Sequence, residues 1–215
     1  MAEQGDPQEQ VPHGRTPGAC QPAAGEKDPG TAGTAGAPAA SGDPAALVLA
    51  MAAYDAGDPR RIHHFLKVHE LARTIGLAEG LDARTLHVLE AAAIVHDAGI
   101  HESERVYGNA SGAHQEELGP AVARPLLERA GYDAASVERA CWLVAHHHTY
   151  IDIDDVDHRV LVEADFLVNA YEDAPEDPAA RSRVASQVAE RVFRTRTGLA
   201  LLRSMYLSDA YAPLP

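Results

Sequence analysis

Histidine and aspartate recur in this sequence at positions that suit metal binding. They are His64, the adjacent pair His96 and Asp97, and Asp165, and a run of three histidines precedes the last of them. Each lies on the inward stripe of a predicted helix, where apolar residues recur every three or four positions. Buried charged groups need a partner, and several that converge need a shared one. We therefore expect His64, His96, Asp97 and Asp165 to hold a divalent metal ion.

The expected ligands are nitrogen and oxygen atoms, because Cys141 is the only cysteine within the helical part of the sequence. Such a set suits Mn, Fe, Co, Ni or Zn, and less ideally Mg. Two imidazoles and two carboxylates leave room for water on a six-coordinate ion, and that water is a natural nucleophile. A lone inward histidine is usually structural, so the prediction depends on all four positions occurring together.

The segments that carry these residues are all predicted to be helical. Residues 1–43 are rich in Gly, Pro and Ala without a periodic apolar face, and we predict a disordered tail. The folded part, residues 44–210, begins at Asp43-Pro44, a capping residue followed by proline. Predicted helices cover residues 44–56, 59–76, 82–98, 113–130, 133–148, 157–172, 178–194 and 198–207, and a short one around 101–107 is an option within the loop 100–112. No segment alternates as a half-buried strand does, so the predicted class is all-α.

Composition excludes several kinds of partner. The formal net charge is −14, with 18 Lys and Arg against 32 Asp and Glu, which argues against nucleic-acid polymers and anionic membranes. No apolar stretch approaches the roughly 20 residues of a membrane span. The N-terminus does not resemble a signal peptide, and two cysteines give no disulfide framework. We therefore expect a cytoplasmic protein.

Four segments resemble the signature segments of the HD-domain metal-dependent phosphohydrolases: RRIHHFLKV, AAAIVHDAG, LVAHHHTY and VLVEADFLVN. The resemblance runs from about residue 59 to 173. HDAGIHESERVYG, QEELGP and the segment from HHHTY to NAYED further resemble a bacterial HD subfamily without an assigned substrate. The resemblance implies a helical bundle and a metal site built from His64, His96, Asp97 and Asp165.

The resemblance leaves open whether the protein binds a second metal ion. Many family members add histidines between the HD pair and the last aspartate, and His147 and His148 match one such position. His146 is an alternative, since three consecutive histidines on a helix span roughly 200° and cannot all face one ion. The other expected ligand lies four residues before Gly119 and falls on Gln115, which is not a histidine.

The resemblance implies hydrolysis of a phosphoester, in a nucleotide or another small phosphorylated metabolite. Asp97 would orient the attacking water or accept its proton, and His147 or a neighbour would protonate the leaving oxygen. A di-iron oxygenase that uses O2 to cleave C–P or C–C bonds is one alternative. The other is a non-catalytic ligand-binding module that has kept the fold.

Several further residues are weaker candidates. Arg60, Arg61 and Lys67 lie near His64 in the sequence and are candidates for binding a substrate phosphate, or they form a solvated helix face. His101 and Glu102 follow the HD pair and are candidates for the mouth of the site.

Overall fold

The computed structural model describes residues 41–151, 153, 155–172 and 177–207. Its helices are α1 (Pro44–Tyr54), α2 (Pro59–Ala78), α3 (Ala83–Val95), α4 (Ile100–Tyr107), α5 (Gly112–Arg129), α6 (Ala134–Val144), α7 (Val156–Glu172), α8 (Pro178–Arg191) and α9 (Arg196–Leu202), followed by a π-helical turn at Arg203–Leu207. No strand occurs among these residues, so the all-α prediction is confirmed. Most of the predicted tail, residues 1–40, lies outside the described part. Among the helices described, none has the length and apolarity of a bilayer span.

Aspartate side chains fix where four of the helices begin. Asp43, Asp58, Asp82 and Asp133 each accept a hydrogen bond from a backbone N–H of the first helical turn. Those N–H groups have no partner within the helix, so the carboxylates stabilise each start. Proline follows two of these residues at the first helical position, which confirms the predicted start at Asp43-Pro44.

Helix α3 lies at the centre of the bundle. It packs against α2, α6 and α7, while α2 also packs against α7 and α6 against α5. Alanines at 91–93 are completely buried, and their small side chains let the neighbouring helices approach closely. The C-terminal end of α3 therefore lies where three other helices converge, and His96 and Asp97 follow that end directly.

Several helices end earlier than predicted, among them α1 at Tyr54, α8 at Arg191 and α9 at Leu202, and two other early ends bear on the site. Helix α3 stops at Val95 and α6 at Val144, so the prediction that helices continue to residues 98 and 148 is wrong. The Nδ1 atoms of His96 and His147 donate to the carbonyl oxygens three residues before them. Imidazoles thus occupy acceptors that a longer helix would use, and the chain turns. His146, His147 and His148 consequently lie in a turn.

A close backbone contact positions α5 beside the turn after α3. A Cβ atom on Gly99 would lie 2.8 Å from the carbonyl oxygen of Gln115 and 2.9 Å from the Cα of Gly119. A Cβ on Gly119 would lie 2.7 Å from a methyl of Val144, on α6. Only glycine fits these positions without movement of the neighbours. The two glycines therefore bring Gln115 close to the HD pair.

A buried carboxylate ties the start of α9 to α7. Glu163 is completely buried, and its Oε1 accepts hydrogen bonds from the backbone N–H groups of Arg194 and Thr195. Its Oε2 accepts the hydroxyl hydrogen of Thr195. These bonds compensate for removing the carboxylate from water. Glu163 precedes Asp165 by two residues, so the same turn of α7 anchors α9 and carries a predicted metal ligand.

We expect Gly99→Ala to destabilise the fold. Gly99 has helical dihedral angles (φ −73°, ψ −13°), at which alanine is normally better by up to about 1 kcal/mol. Its methyl would instead overlap a backbone oxygen that cannot rotate away. We expect urea denaturation to show a free energy of unfolding lower by about 1–3 kcal/mol.

Gly76→Ala is the matched control. Its methyl would meet a Leu86 methyl at 2.9 Å, and this flexible side chain can move. The control should change stability by less than about 1 kcal/mol. Equal stability changes in the two variants would contradict the importance of the Gly99 contact.

Candidate metal centre

A polar cluster lies in the otherwise apolar core where α2, α3 and α7 meet. His64 Nε2 lies 3.2 Å from Asp165 Oδ1 and 3.2 Å from His96 Nε2. His96 Nε2 lies 3.5 Å from the same Asp165 oxygen. All three side chains are buried, and these three atoms lie within 4.8 Å of one another. One ion placed among them could contact all three.

Each of three histidines has the tautomer that a metal ligand needs. His64 Nδ1 lies 3.0 Å from Glu172 Oε2, and the Nδ1 atoms of His96 and His147 lie 2.9 and 2.7 Å from backbone carbonyl oxygens. Carboxylate and carbonyl oxygens can only accept, so each Nδ1 carries a hydrogen. The Nε2 atoms, which face the cluster, are therefore the ones available to bind an ion.

Asp97 lies between this cluster and a second one. Its Oδ2 is 3.4 Å from His64 Nε2 and 3.5 Å from His96 Nε2, whereas its Oδ1 is 3.5 Å from His147 Nε2. Asp97, His147 and His148 form the second group of possible ligands. One carboxylate thus faces both groups with different oxygens, as a carboxylate that bridges two ions does.

His147 carries the clearest sign that a cation belongs here. The residue is completely buried, and its Nε2 makes no hydrogen bond among the described residues, with Asp97 Oδ1 3.5 Å away. Buried polar atoms without partners are rare, and an ion beside Asp97 would provide one. The ends of α3 and α6 add the negative ends of two helix dipoles to the site. The residues therefore fit a divalent metal ion, with nitrogen and oxygen ligands only.

The structure separates the three consecutive histidines. The side chains of His147 and His148 reach the second group, whereas His146 turns away. His146 Nδ1 donates to the Trp142 carbonyl oxygen, and its ring stacks on the Trp142 indole at a centroid distance of 4.0 Å. His63 is exposed to solvent, beside the buried His64. The turn after α6, rather than helical periodicity, makes this selection.

Two supporting residues on α7 were missed by sequence reasoning. Asn169 donates a hydrogen bond of 2.9 Å to Asp165 Oδ1, and Glu172 accepts from His64 and pairs with Lys67. Asp165, Asn169 and Glu172 are spaced by four and three, which places them on one face of the helix. This spacing is the sequence signal for Asn169 and Glu172, because Asp165 lies on the inward face of the predicted helix.

A cavity of about 500 Å³ opens onto this centre. His64, Asp97 and His148 contribute to its lining, together with Arg60 and Arg61. Lys67, His101 and Glu102 are absent from the described lining, so the expectation that the last two form the mouth is wrong. Glu102 instead pairs with Arg105 on the surface of α4.

The electrostatics of the cluster favour positive charge within it. Burial by itself lowers the pKa of His64, but the hydrogen bond with Asp165 and the charge of Asp97 outweigh it and raise the pKa to about 9. Burial by itself raises the pKa of Asp165, but hydrogen bonds with His64 and His96 hold it well below its usual range. Burial and the neighbouring His147 lower the pKa of His148 to about 4. The metal-free cluster thus keeps both carboxylates ionised and a proton on His64.

Metal binding should release protons at neutral pH. Because the pKa of His64 is about 9, its Nε2 must lose a proton before it can bind an ion. The pKa of His96 is also raised, by Asp97 and Asp165, so the apparent affinity should rise at least about tenfold per pH unit around neutral pH and flatten near the His64 pKa. Calorimetric titration with Mn²⁺ in two buffers of different ionisation enthalpy measures the protons released. His146→Asn should leave that number unchanged, and an affinity independent of pH would contradict this assignment.

Glu172 should strengthen metal binding through His64. Glu172→Ala removes the acceptor of the His64 Nδ1 hydrogen, so the tautomer and ring orientation are no longer fixed. We expect the affinity for the first ion to fall about 10- to 100-fold by calorimetry. Glu172→Gln keeps an accepting oxygen and should recover part of the loss. Glu70→Ala, an exposed glutamate on α2, is the control, and an equal effect there would refute the role.

Comparison with known proteins agrees with this geometry. The HD domain family matches residues 61–190, more than half of the chain. A solved structure of a predicted HD superfamily hydrolase from an uncultured Thermotogales bacterium is similar, with a TM-score of 0.52 and 26% sequence identity. That similarity covers 75% of this chain and 83% of the other. No curated protein shows a significant match. The matched region contains both groups of possible ligands, and the chain belongs to the HD superfamily of metal-dependent hydrolases.

Proposed function

We propose that this protein is a metal-dependent phosphohydrolase that acts on a nucleotide or another small phosphorylated metabolite. The observation that carries the proposal is the position of Asp97, between two groups of ligands and beside a cavity. Two ions held on either side of one carboxylate suit the attack of water on a phosphoester. The similar solved protein is a predicted HD superfamily hydrolase, which supports the reaction class.

The atoms that the ligands offer indicate which metal ions the site would favour. His64, His96, Asp97 and Asp165 offer nitrogen and oxygen without sulfur, a set that suits Mn, Fe, Co, Ni or Zn and less ideally Mg. When bound, such an ion lowers the pKa of a water and polarises a phosphoryl oxygen. His147 has Nδ1 held by a carbonyl and Nε2 facing Asp97. We therefore assign His147 as a metal ligand in preference to a proton donor, and keep Asp97 as the residue that orients the water.

The charge around the cavity explains why hydrolysis would require metal. The charged residues that line it are four acidic ones, Asp58, Asp97, Glu104 and Glu172, and three basic ones, Arg60, Arg61 and the protonated His64. Without a metal ion this lining has an excess of negative charge, which disfavours a phosphate dianion. One or two divalent ions reverse the balance. Both substrate binding and the chemical step therefore depend on the metal.

Arg61 is held in place beside the centre. Its guanidinium donates to His101 Nδ1 and to Glu104 Oε1, each at 2.7 Å. His101 in turn lies 3.0 Å from the buried carboxylate of Asp55, to which its Nε2 donates. Arg61 lies one turn before His64 on α2, so its remaining N–H groups can reach a phosphate that also contacts the metal centre. We propose Arg61 as a substrate-phosphate ligand, with His101 and Asp55 as positioning residues.

Size and surface charge favour a small substrate. A cavity of about 500 Å³ is within the usual range for small molecules. The net charge of −14 disfavours a nucleic-acid polymer. Cys141 is a buried free thiol, which fits a reducing compartment, and we propose the cytoplasm as the place of the reaction.

The test is a phosphate-release assay over nucleotides and sugar phosphates, repeated with Mn, Co, Ni, Mg and Zn. We expect metal-dependent release from at least one substrate. Asp97→Ala should lower kcat/KM about a hundredfold or more, because it removes the shared carboxylate. Arg61→Gln should act mainly on KM, raising it about 10- to 100-fold through loss of charge-assisted hydrogen bonds.

His63→Ala is the matched control, since this exposed histidine precedes a predicted ligand and should not alter the rate. Absence of phosphate release with every metal would overturn the proposal. Oxygen consumption by the iron-loaded protein would then identify the oxygenase alternative. If the protein shows neither activity, the ligand-binding module is the remaining alternative.

A further inference from the structure

Gln115 lies beside the second group of ligands, and its position follows from the backbone. The residue is 7% exposed, and it lines the cavity together with Asp97 and His148. The contact of its carbonyl oxygen with Gly99 fixes this part of α5 against the turn that follows the HD pair. The packing of α5 thus directs the Gln115 side chain toward the metal centre and restricts its movement.

The orientation of the Gln115 amide is determined by its partners. Its Nε2 donates a hydrogen bond of 2.8 Å to the Ala110 carbonyl oxygen, which can only accept. The amide oxygen therefore points the other way, where it lies 3.3 Å from His148 Nε2. A backbone carbonyl just before α5 thus holds a hard oxygen donor toward the second group.

The spacing of these donor atoms matches the edges of a coordination polyhedron. Gln115 Oε1 and His148 Nε2 are 3.3 Å apart, and Asp97 Oδ1 and His147 Nε2 are 3.5 Å apart. For bonds of about 2.1 Å, adjacent donors of an octahedral ion lie about 3 Å apart. Asp97, His147 and His148 each offer a ligand atom within 4.8 Å of the others, and the Gln115 oxygen lies beside the His148 member of this group.

The geometry points to the amide oxygen of Gln115 as a ligand of the second metal ion, beside Asp97, His147 and His148. The amide is neutral, and Asp97 is shared with the first ion. The second position therefore has less negative charge than the first, which also has Asp165. We expect it to bind more weakly, and to favour an oxygen-seeking ion such as Mn²⁺ more than an all-imidazole set would. The inference rests on the metal centre of the proposed function, but not on the reaction.

The test compares Mn²⁺ and Ni²⁺ binding to the metal-free full chain by calorimetry, with no substrate present. The wild-type protein should bind two ions, the second at least about tenfold more weakly. Gln115→His replaces an oxygen donor with an imidazole, so at the second position the Ni²⁺ to Mn²⁺ affinity ratio should rise about tenfold or more. Gln115→Glu supplies a charged oxygen and should tighten the second Mn²⁺ ion. Neither variant should change the first dissociation constant.

If Gln115 only orients His148, its substitution would alter the affinities for Mn²⁺ and Ni²⁺ by the same factor. The ratio of the two affinities therefore distinguishes a ligand from an orienting residue. Glu117→His is the matched control, since it adds a histidine on the exposed side of the same helix. An unchanged ratio in Gln115→His would overturn the inference, as would a wild-type protein that binds a single ion. If Gln115→His loses its thermal unfolding transition, Gln115→Glu decides, and unchanged Mn²⁺ binding there counts against the inference. Two ions bound as expected without phosphate release on any substrate would refute the proposed function alone.

Discussion

The shared carboxylate of Asp97 is the constraint around which this fold is arranged. Its Oδ2 faces His64 and His96, its Oδ1 faces His147, and these histidines come from separate parts of the chain. Carboxylates and imidazoles buried together are costly unless a cation and a fixed set of hydrogen bonds accompany them. The helices around α3 must therefore meet at its C-terminal end, within tolerances set by bond lengths rather than by apolar packing.

The hydrogen bonds behind the ligands supply that accuracy. On α7, Asn169 holds Asp165 and Glu172 holds His64, so one helix face carries a ligand and the supports of two ligands. His96 and His147 are oriented by the carbonyl oxygens of the helix ends that they follow. Main-chain groups left over at a helix end thus serve as supports for the metal centre, and helix length and ligand orientation are coupled.

The sequence predicts the helices well, because apolar periodicity, aspartate caps and terminal glycines all act locally. It also indicates that His64, His96, Asp97 and Asp165 converge, since each occupies an apolar stripe. It could not show which of three consecutive histidines faces inward, because α6 ends before them and periodicity no longer applies. The role of Gln115 and the hydrogen bonds of Arg61 to His101 and Glu104 depend on contacts between helices distant in the sequence. Such contacts have no local signature.

The tie between Glu163 and the start of α9 has a consequence for biosynthesis. The N–H groups that compensate this carboxylate belong to residues 194 and 195, which a ribosome makes after every residue of the two ligand groups. Until they emerge, the Glu163 carboxylate, on the same turn of α7 as Asp165, lacks the donors that compensate for its burial. The nascent chain thus has all its ligands before it has a stable place for the last of them. Helix α9 therefore stabilises the turn of α7 that carries Asp165 only after every residue of the two ligand groups has been made.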